Sequence, residues 1–473
     1  MSIARTIATS HTTCFSEGQM HEIEVEVLLR NGLQKFDIIG LPQHMIREGR
    51  DRILAALARL GVELPTQKIL VSLNPGSLRK EGSHFDLPIL YGILKAIGII
   101  PNKIARDFLW GELGLRGDIR PLDAAASHWL FASHLGATRM ISANTREEID
   151  TLQTFLPARI ERMTHVSELN QVQGADEFVP LTEEQIDDRV KELWLNQDEP
   201  RWNALKGSKE QFEIWALALL GRHHLLISGP PGVGKSSWTF AAGQMQLPLA
   251  RNLWNQTLHY RPWNRRPFEA PHHSASKVSV IGGGSGSILP GAITRANHGI
   301  LFMDEFAEFS RDVLESLREP METASIRVAR RDIERALAAN TQIIAALNPC
   351  RCGCTGSSWR CHCTSAQNIA YKARISGPLR ERFHFDLWWQ YENREAGTAF
   401  SAREVKKRLI DSLPPEKINL SKIELPKQSS ARKTARKIES FVSWCRWHNV
   451  ATPTQKDLLN FDHLLEHFYQ GEN

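Results

Sequence analysis

The chain of 473 residues contains no long apolar run. Its most apolar segment, Leu87–Pro101, is broken by Pro88, Lys95 and Gly98, and residues 1–13 lack the apolar centre of a secretory signal. A cytoplasmic location with no membrane partner is therefore expected. A large charge excess is also missing. Lys and Arg total 58 against 53 Asp and Glu, a formal net charge of +5, so bulk charge does not by itself demand nucleic acid and leaves only local basic surfaces open. No internal repeat and no low-complexity tract interrupts the chain. Cysteine is scarce outside one place: five of the seven fall between Cys350 and Cys363, which in a reducing compartment points to metal rather than to disulfides. The length is too great for one core and suggests about three units.

The first positive signal is Gly229-Pro230-Pro231-Gly232-Val233-Gly234-Lys235-Ser236, followed by Ser237. It fits the phosphate-loop pattern G-x-x-x-x-G-K-[ST], and the apolar run His224–Ser228 before it reads as a short buried strand. Glycines there let successive backbone N–H groups face phosphate oxygens. Lys235 is expected to meet the β and γ phosphates of ATP, and Ser236 to hold magnesium through its hydroxyl. The competing reading is a glycine-rich turn before an ordinary helix. Against it stands His298–Glu305, an apolar run that ends in two acids and reads as a central parallel strand. Acids at that end of a strand face the ligand crevice of an α/β sheet. Asp304 is expected to hold magnesium through a water, and Glu305 to polarise the water that attacks the γ phosphate. A third strand, Gln342–Asn348, ends in an amide suited to orienting that water.

Residues 1–172 alternate strand-like runs, Ile23–Leu29 and Lys68–Leu73, with a helical run over Arg47–Leu60, an α/β or α+β pattern. Residues 173–201 are polar and acid-rich and read as a linker, with a helix opening at Glu183–Asp188. The ATPase core is expected over residues 202–391, and a helical, basic segment over residues 392–473 carries Lys406, Lys407, Arg408, Arg432, Lys433, Arg436 and Lys437. Two close thiol pairs, in Cys350-Arg-Cys352-Gly-Cys354 and Cys361-His-Cys363, flank a turn around Gly356–Ser358. Four converging thiolates make a closed structural zinc site. Reduced thiols in a loop or a degenerate site remain as alternatives, since the C-x-C spacing is tighter than usual.

Beyond these motifs stand Arg266–Ser274 (RPFEAPHHS), Gly282–Gly284, Leu317–Glu322 and Ile375–Phe383 in the second half, and Gly40–Pro42, Arg50–Ile53, Lys80–Gly82 and Phe85–Pro88 in the first. Together they closely resemble the ComM/YifB family of magnesium-chelatase-like AAA+ ATPases over nearly the whole chain. The resemblance implies an α/β chain with three parts: a Lon-protease-like α+β N-terminal domain, a P-loop AAA+ parallel-sheet core and a C-terminal helical lid. It implies a ring-shaped hexameric motor acting on DNA, promoting branch migration in recombination or natural transformation. By motif, Arg382 matches the arginine that enters a neighbouring subunit's nucleotide site, with a helix-surface role, or Arg380 two positions away, as alternatives. Arg432 resembles the lid arginine that senses the γ phosphate, although the segment after it departs from the family pattern. For zinc the resemblance favours Cys350, Cys352, Cys361 and Cys363, leaving Cys354 and His362 spare. Lys206-Gly207-Ser208 departs from the family, which usually has a glutamine after the glycine. Aligned on Lys80–Gly82, the protease nucleophile falls at His84 and its lysine near Ala126; Ser83 has no lysine placed to take its proton, so no peptide hydrolysis is expected.

Two loops offer nucleic-acid contact. The insertion at residues 246–286 carries Arg251, Arg261, Arg265, Arg266 and Lys277 among Trp254, Tyr260, Trp263 and Phe268, a mix suited to backbone contact with base stacking. The segment Ile326–Arg335 is expected to form a hairpin bearing Arg327, Arg330 and Arg331. Solvated surface or subunit-interface charge is the alternative for each. Besides a DNA translocase, two functions stay open: a chaperone-like remodeller of protein complexes, and metal insertion into a porphyrin, which the Lon-like domain and the missing integrin-type domain argue against.

Overall fold

The computed structural model describes every residue except 1–6, 17–18, 64–65, 79, 103–105, 124, 154–155, 157, 172–181, 251–252, 254–264, 285–288, 331–332, 356–360, 391–399, 414–417, 422, 425–429 and 469–473. The chain divides into two compact units, one built from Met1–Arg189 and one from Val190–Leu249 with Asn264–Asn473.

The first unit is a seven-stranded mixed sheet in the order Lys35–Ile39, Lys68–Asn74, Gln19–Arg30, Ile7–Ser16, Asp107–Trp110, Arg139–Ser142, Arg159–Arg162. The pairs Ile7–Ser16 with Gln19–Arg30 and Gln19–Arg30 with Lys68–Asn74 are antiparallel, and the others are parallel. Alternation in Ile23, Val25 and Val27 sends one face into the core, where the helices Gln43–Arg59 and Asp86–Ala96 cover it. The second helix is the apolar segment noted above. It is buried from Asp86 through Lys95, which is why it reads as apolar all round.

In the second unit five parallel strands run in the order Phe268–Glu269, Ile300–Met303, Gln342–Leu347, Leu225–Ser228, Phe385–Trp388. Both faces are covered. Leu225, Ile227, Ile300, Phe302, Ile344 and Ala346 pack into one core, whereas Leu226, Leu301, Met303, Ile343 and Ala345 pack into another. Burial on both faces explains the near-continuous apolar runs. The first of these cores holds the helices Lys209–Gly221 and Lys235–Gln244. It also holds the C-terminal helices Ala402–Asp411, Ala431–Trp447 and Gln455–Glu466. Its centre is aromatic: Trp238 stacks on Trp215 at 6.2 Å and meets Phe212 edge-on at 4.8 Å. Truncating one such ring costs about 3–5 kcal/mol.

Residues 190–201, read from the sequence as linker, pack on the helix Ala402–Asp411. The fully buried Lys406 ammonium donates to Trp194 O at 2.8 Å, Gln197 O at 3.0 Å and the equally buried Glu199 carboxylate at 2.8 Å. Further along, Ser208 and Gln211 close a reciprocal capping box on the helix Lys209–Gly221. The glutamine missing beside Gly207 thus has a counterpart four residues on, and its amide also reaches Gln390 O at 3.4 Å.

Candidate active site

The turn after the strand Leu225–Ser228 is fixed by sterics. A Cβ on Gly229 would lie 2.2 Å from the Trp389 carbonyl oxygen, and Gly232 and Gly234 hold φ of +82° and +89°, where side chains are disfavoured. Gly234 directly precedes the helix that begins at Lys235, so free N–H groups of the first turn face the loop. The Lys235 ammonium folds back into this cradle, donating to Gly229 O at 2.5 Å, Pro230 O at 2.9 Å and Asn348 Oδ1 at 3.3 Å. Burial lowers its pKa to about 8, with Asp304 acting in the opposite direction.

Three strand ends meet here. The hydroxyl of Ser236 donates to Asp304 Oδ2 at 2.7 Å, and the Glu305 N–H donates to Asp304 Oδ1 at 2.9 Å. A serine hydroxyl and a carboxylate in contact form an oxygen donor set that fits magnesium, which keeps most of its waters. Glu305 itself adopts φ +51°, a left-handed conformation that costs about 1–2 kcal/mol for a residue with a side chain. Its carboxylate meets His273 Nδ1 at 2.6 Å. His273 lies in the segment Arg266–Ser274 that carries part of the family resemblance, but nothing in the sequence assigned it a role.

Arg382 and Arg432 meet each other's partner rather than the phosphate loop. Glu322 accepts from Arg382 Nη2 at 2.9 Å and from Arg432 Nη2 at 2.6 Å, and Arg432 also lies 3.7 Å from Glu381. Burial tends to raise the Glu322 pKa, but the two guanidiniums outweigh it and hold the carboxyl below its usual range. Arg382 also donates to the carbonyls of Arg318 and Pro378 and is nearly buried within one protomer, whereas Arg380 pairs with Asp386 and is half-exposed.

The sulfurs of Cys350, Cys352, Cys361 and Cys363 all lie within 4.8 Å of one another. This set fits a tetrahedral soft-metal site and leaves Cys354 and His362 outside it. Backbone N–H groups of Cys354 and His362, with neighbouring thiols, hold the Cys352 thiol down to about 5. Gly353 packs against the phosphate loop: a Cβ there would lie 3.2 Å from Pro231 Cδ and 4.0 Å from the Asn348 side chain.

The strands Ser325–Arg330 and Ile333–Ala338 pair as an antiparallel hairpin with Arg327 exposed. Of the other arginine-loop positions, Arg251, Trp254, Tyr260, Arg261, Trp263 and Arg331, and the side chain of Arg330, lie outside the described residues. Lys277 opens the short helix Lys277–Ile281, and Phe268 packs against the core. In the first unit, the Ser83 hydroxyl donates to Glu112, His84 Nε2 lies 3.1 Å from Thr13 O, and Ala126 sits on the helix Ala125–His134. Lys80 is buried, with its ammonium on the carbonyls of Pro75 at 2.6 Å and Leu78 at 3.3 Å. No helix among the described residues is long and apolar enough to cross a membrane.

Comparison with known proteins places this geometry. The family described as magnesium chelatase, subunit ChlI, matches residues 201–397, and that described as subunit ChlI of Mg-chelatase matches residues 25–146. The chain is 33% identical over 384 residues to the competence protein ComM of Haemophilus influenzae, covering 77% of this chain and 73% of that protein. It is 32% identical over 376 residues to YifB of Escherichia coli, covering 77% and 72% respectively. A shorter likeness, 25% identity over 183 residues, covering 39% of this chain and 25% of the relative, connects it to a probable DNA helicase, MCM9, of Arabidopsis thaliana.

Proposed function

Because this chain belongs to the ComM/YifB family of magnesium-chelatase-like proteins and has an AAA+-type ATPase architecture, we propose that it is a cytoplasmic, ATP-driven DNA translocase that works as a homo-hexameric ring and promotes branch migration. The observation that carries this reading is the convergence of Lys235 on Asn348 and of Ser236 on Asp304, with Glu305 beside them, at the C-terminal ends of three adjacent parallel strands. Backbone N–H groups of residues 232–237 bind the triphosphate and Lys235 neutralises its β and γ oxygens. Ser236 through its hydroxyl and Asp304 through a water would hold magnesium, which would offset the negative charge on those oxygens. Glu305, oriented by His273, takes the proton of the attacking water, and Asn348 positions that water. Arg382 completes the site of the neighbouring subunit, while Arg432 reports on the γ phosphate from the lid.

The exposed Arg327 hairpin supports contact with the DNA backbone, and the helicase named among the relatives points the same way. The test is phosphate release by the purified chain with magnesium and ATP, measured with single strands, forks and four-way junctions at low salt. Stimulation by DNA that fades as salt rises is the expected result. Stimulation by a stoichiometric protein partner alone would replace DNA with a protein substrate, and no phosphate release under any condition would overturn the hydrolytic reading itself.

A further inference from the structure

At the end of the five-stranded sheet opposite the nucleotide site, the chain gathers positive charge that no acid among the described residues balances. Arg222 precedes the strand Leu225–Ser228, Arg266 precedes Phe268–Glu269, His298 precedes Ile300–Met303 and Asn340 precedes Gln342–Leu347. These strands are parallel, so all four positions fall along one edge. Short hydrogen bonds join them. The Asn340 carbonyl accepts from Arg222 Nη2 at 2.7 Å and from the His298 N–H at 2.8 Å, and the His298 carbonyl accepts from Arg266 Nη1 at 2.8 Å. Arg266 also donates to Leu247 O at 2.6 Å and Pro248 O at 3.2 Å.

Every one of these acceptors is a neutral carbonyl. Among the described residues neither guanidinium meets a carboxylate, in contrast to Arg265 next door, which lies 3.7 Å from Glu199. Burial lowers the pKa of Arg222 to about 10, and burial with the Arg222 charge lowers that of Arg266 to about 9. Two cations that act on each other, partly out of water, are costly unless a negative group completes them. Donors are available for one. A guanidinium has five N–H groups, of which, among the described residues, Arg222 uses one and Arg266 three in the bonds above. The backbone is also fixed in an unfavourable form on two sides, with φ of +52° at Arg222 and +61° at His298.

We propose that Arg222 and Arg266, set at the N-terminal edge of the ATPase sheet, bind a phosphate group. The planar guanidinium fork matches phosphate oxygens, and the spare N–H groups supply the contacts that the carbonyls cannot. This site is separate from the phosphate loop and does not depend on hydrolysis.

The test is thermal unfolding of the full chain with its nucleotide site saturated by magnesium ADP, in inorganic phosphate against chloride at matched ionic strength. Phosphate raises Tm of the unaltered protein by about 2–4 °C, and Arg222→Gln removes that response. An equal response in both proteins, or none in the unaltered one, overturns the site and leaves the two arginines as carbonyl staples. Should Arg222→Gln not fold, Arg222→Lys keeps the charge and loses the fork, and it should weaken phosphate affinity about tenfold by calorimetry. An unchanged affinity there would also overturn the assignment. A single-stranded oligothymidylate added before phosphate separates the sources: a suppressed response identifies a nucleic-acid backbone as the donor, and an undiminished one identifies a free anion.

Discussion

Glu305 is oriented from two sides, by its own left-handed backbone and by His273 at 2.6 Å. Glu305→Gln should keep nucleotide affinity yet lower phosphate release by about 10²–10⁴-fold, because it removes the proton acceptor alone. Lys235→Ala should instead weaken nucleotide binding itself. Fluorescent-nucleotide titration beside a phosphate-release assay separates the two, and equal loss of binding in both variants would contradict the assigned roles. A pH dependence follows from Lys235. Burial sets its free-state pKa to about 8, and a bound polyphosphate favours the charged ammonium, so binding takes up a proton once the pH exceeds that value. The Kd for ADP should be flat below pH 7.5 or so and then rise by up to about tenfold per pH unit, a slope that Lys235→Arg should flatten. At this scale the sequence was most legible where chemistry demands fixed spacing. The positions of Lys235, Ser236, Asp304 and Asn348 could be read directly, because short loops after buried strands place them. His273 could not, since it reaches Glu305 from a distant segment and no local pattern encodes that contact.

The five parallel strands were legible as elements because burial on both faces writes each as an apolar run, as in Ile300–Met303. The arginine hairpin was equally visible. Arg327→Ala should lower DNA-stimulated ATPase and reduce the salt slope of DNA binding by about one unit, while leaving the DNA-free rate within about twofold. What remained hidden was how the cysteine loop is seated. The spacing of Cys350, Cys352, Cys361 and Cys363 suggested a shared ion, but only the fold sets Gly353 against Pro231 and beside the Asn348 side chain. Protein prepared without a histidine tag should therefore contain stoichiometric zinc. Cys361→Ser should lose it and also weaken ADP binding, since Asn348 and the phosphate loop share one wall with the metal loop. Elemental analysis and calorimetry on the same samples check both, and unchanged ADP affinity in the zinc-free variant would show that the loop is seated without metal.

At the scale of the whole molecule, the role proposed for Arg382 lies in a site that one chain does not finish. If it acts on a neighbour, mixing Arg382→Ala with Lys235→Ala chains should restore part of the activity that each lacks alone, because some interfaces then pair an intact loop with an intact arginine. Absence of any recovery in co-assembled rings would place Arg382 within its own subunit, where Glu322 already holds it. The division of the chain was only partly legible. Acid-rich composition made residues 173–201 read as a connecting stretch, whereas Trp194 within it is buried in the ATPase unit, and a polar average conceals such an anchor.

The bond between Lys406 and Glu199 has a practical consequence for anyone dissecting this protein. A fragment cut at Trp202, where the motifs invite the cut, strips the Lys406 ammonium of its carboxylate and of the carbonyls of Trp194 and Gln197 together. An uncompensated buried charge of this kind costs about 3–5 kcal/mol, enough to melt a small helical subdomain at ordinary temperature. One that begins before Val190 keeps the plug in its socket.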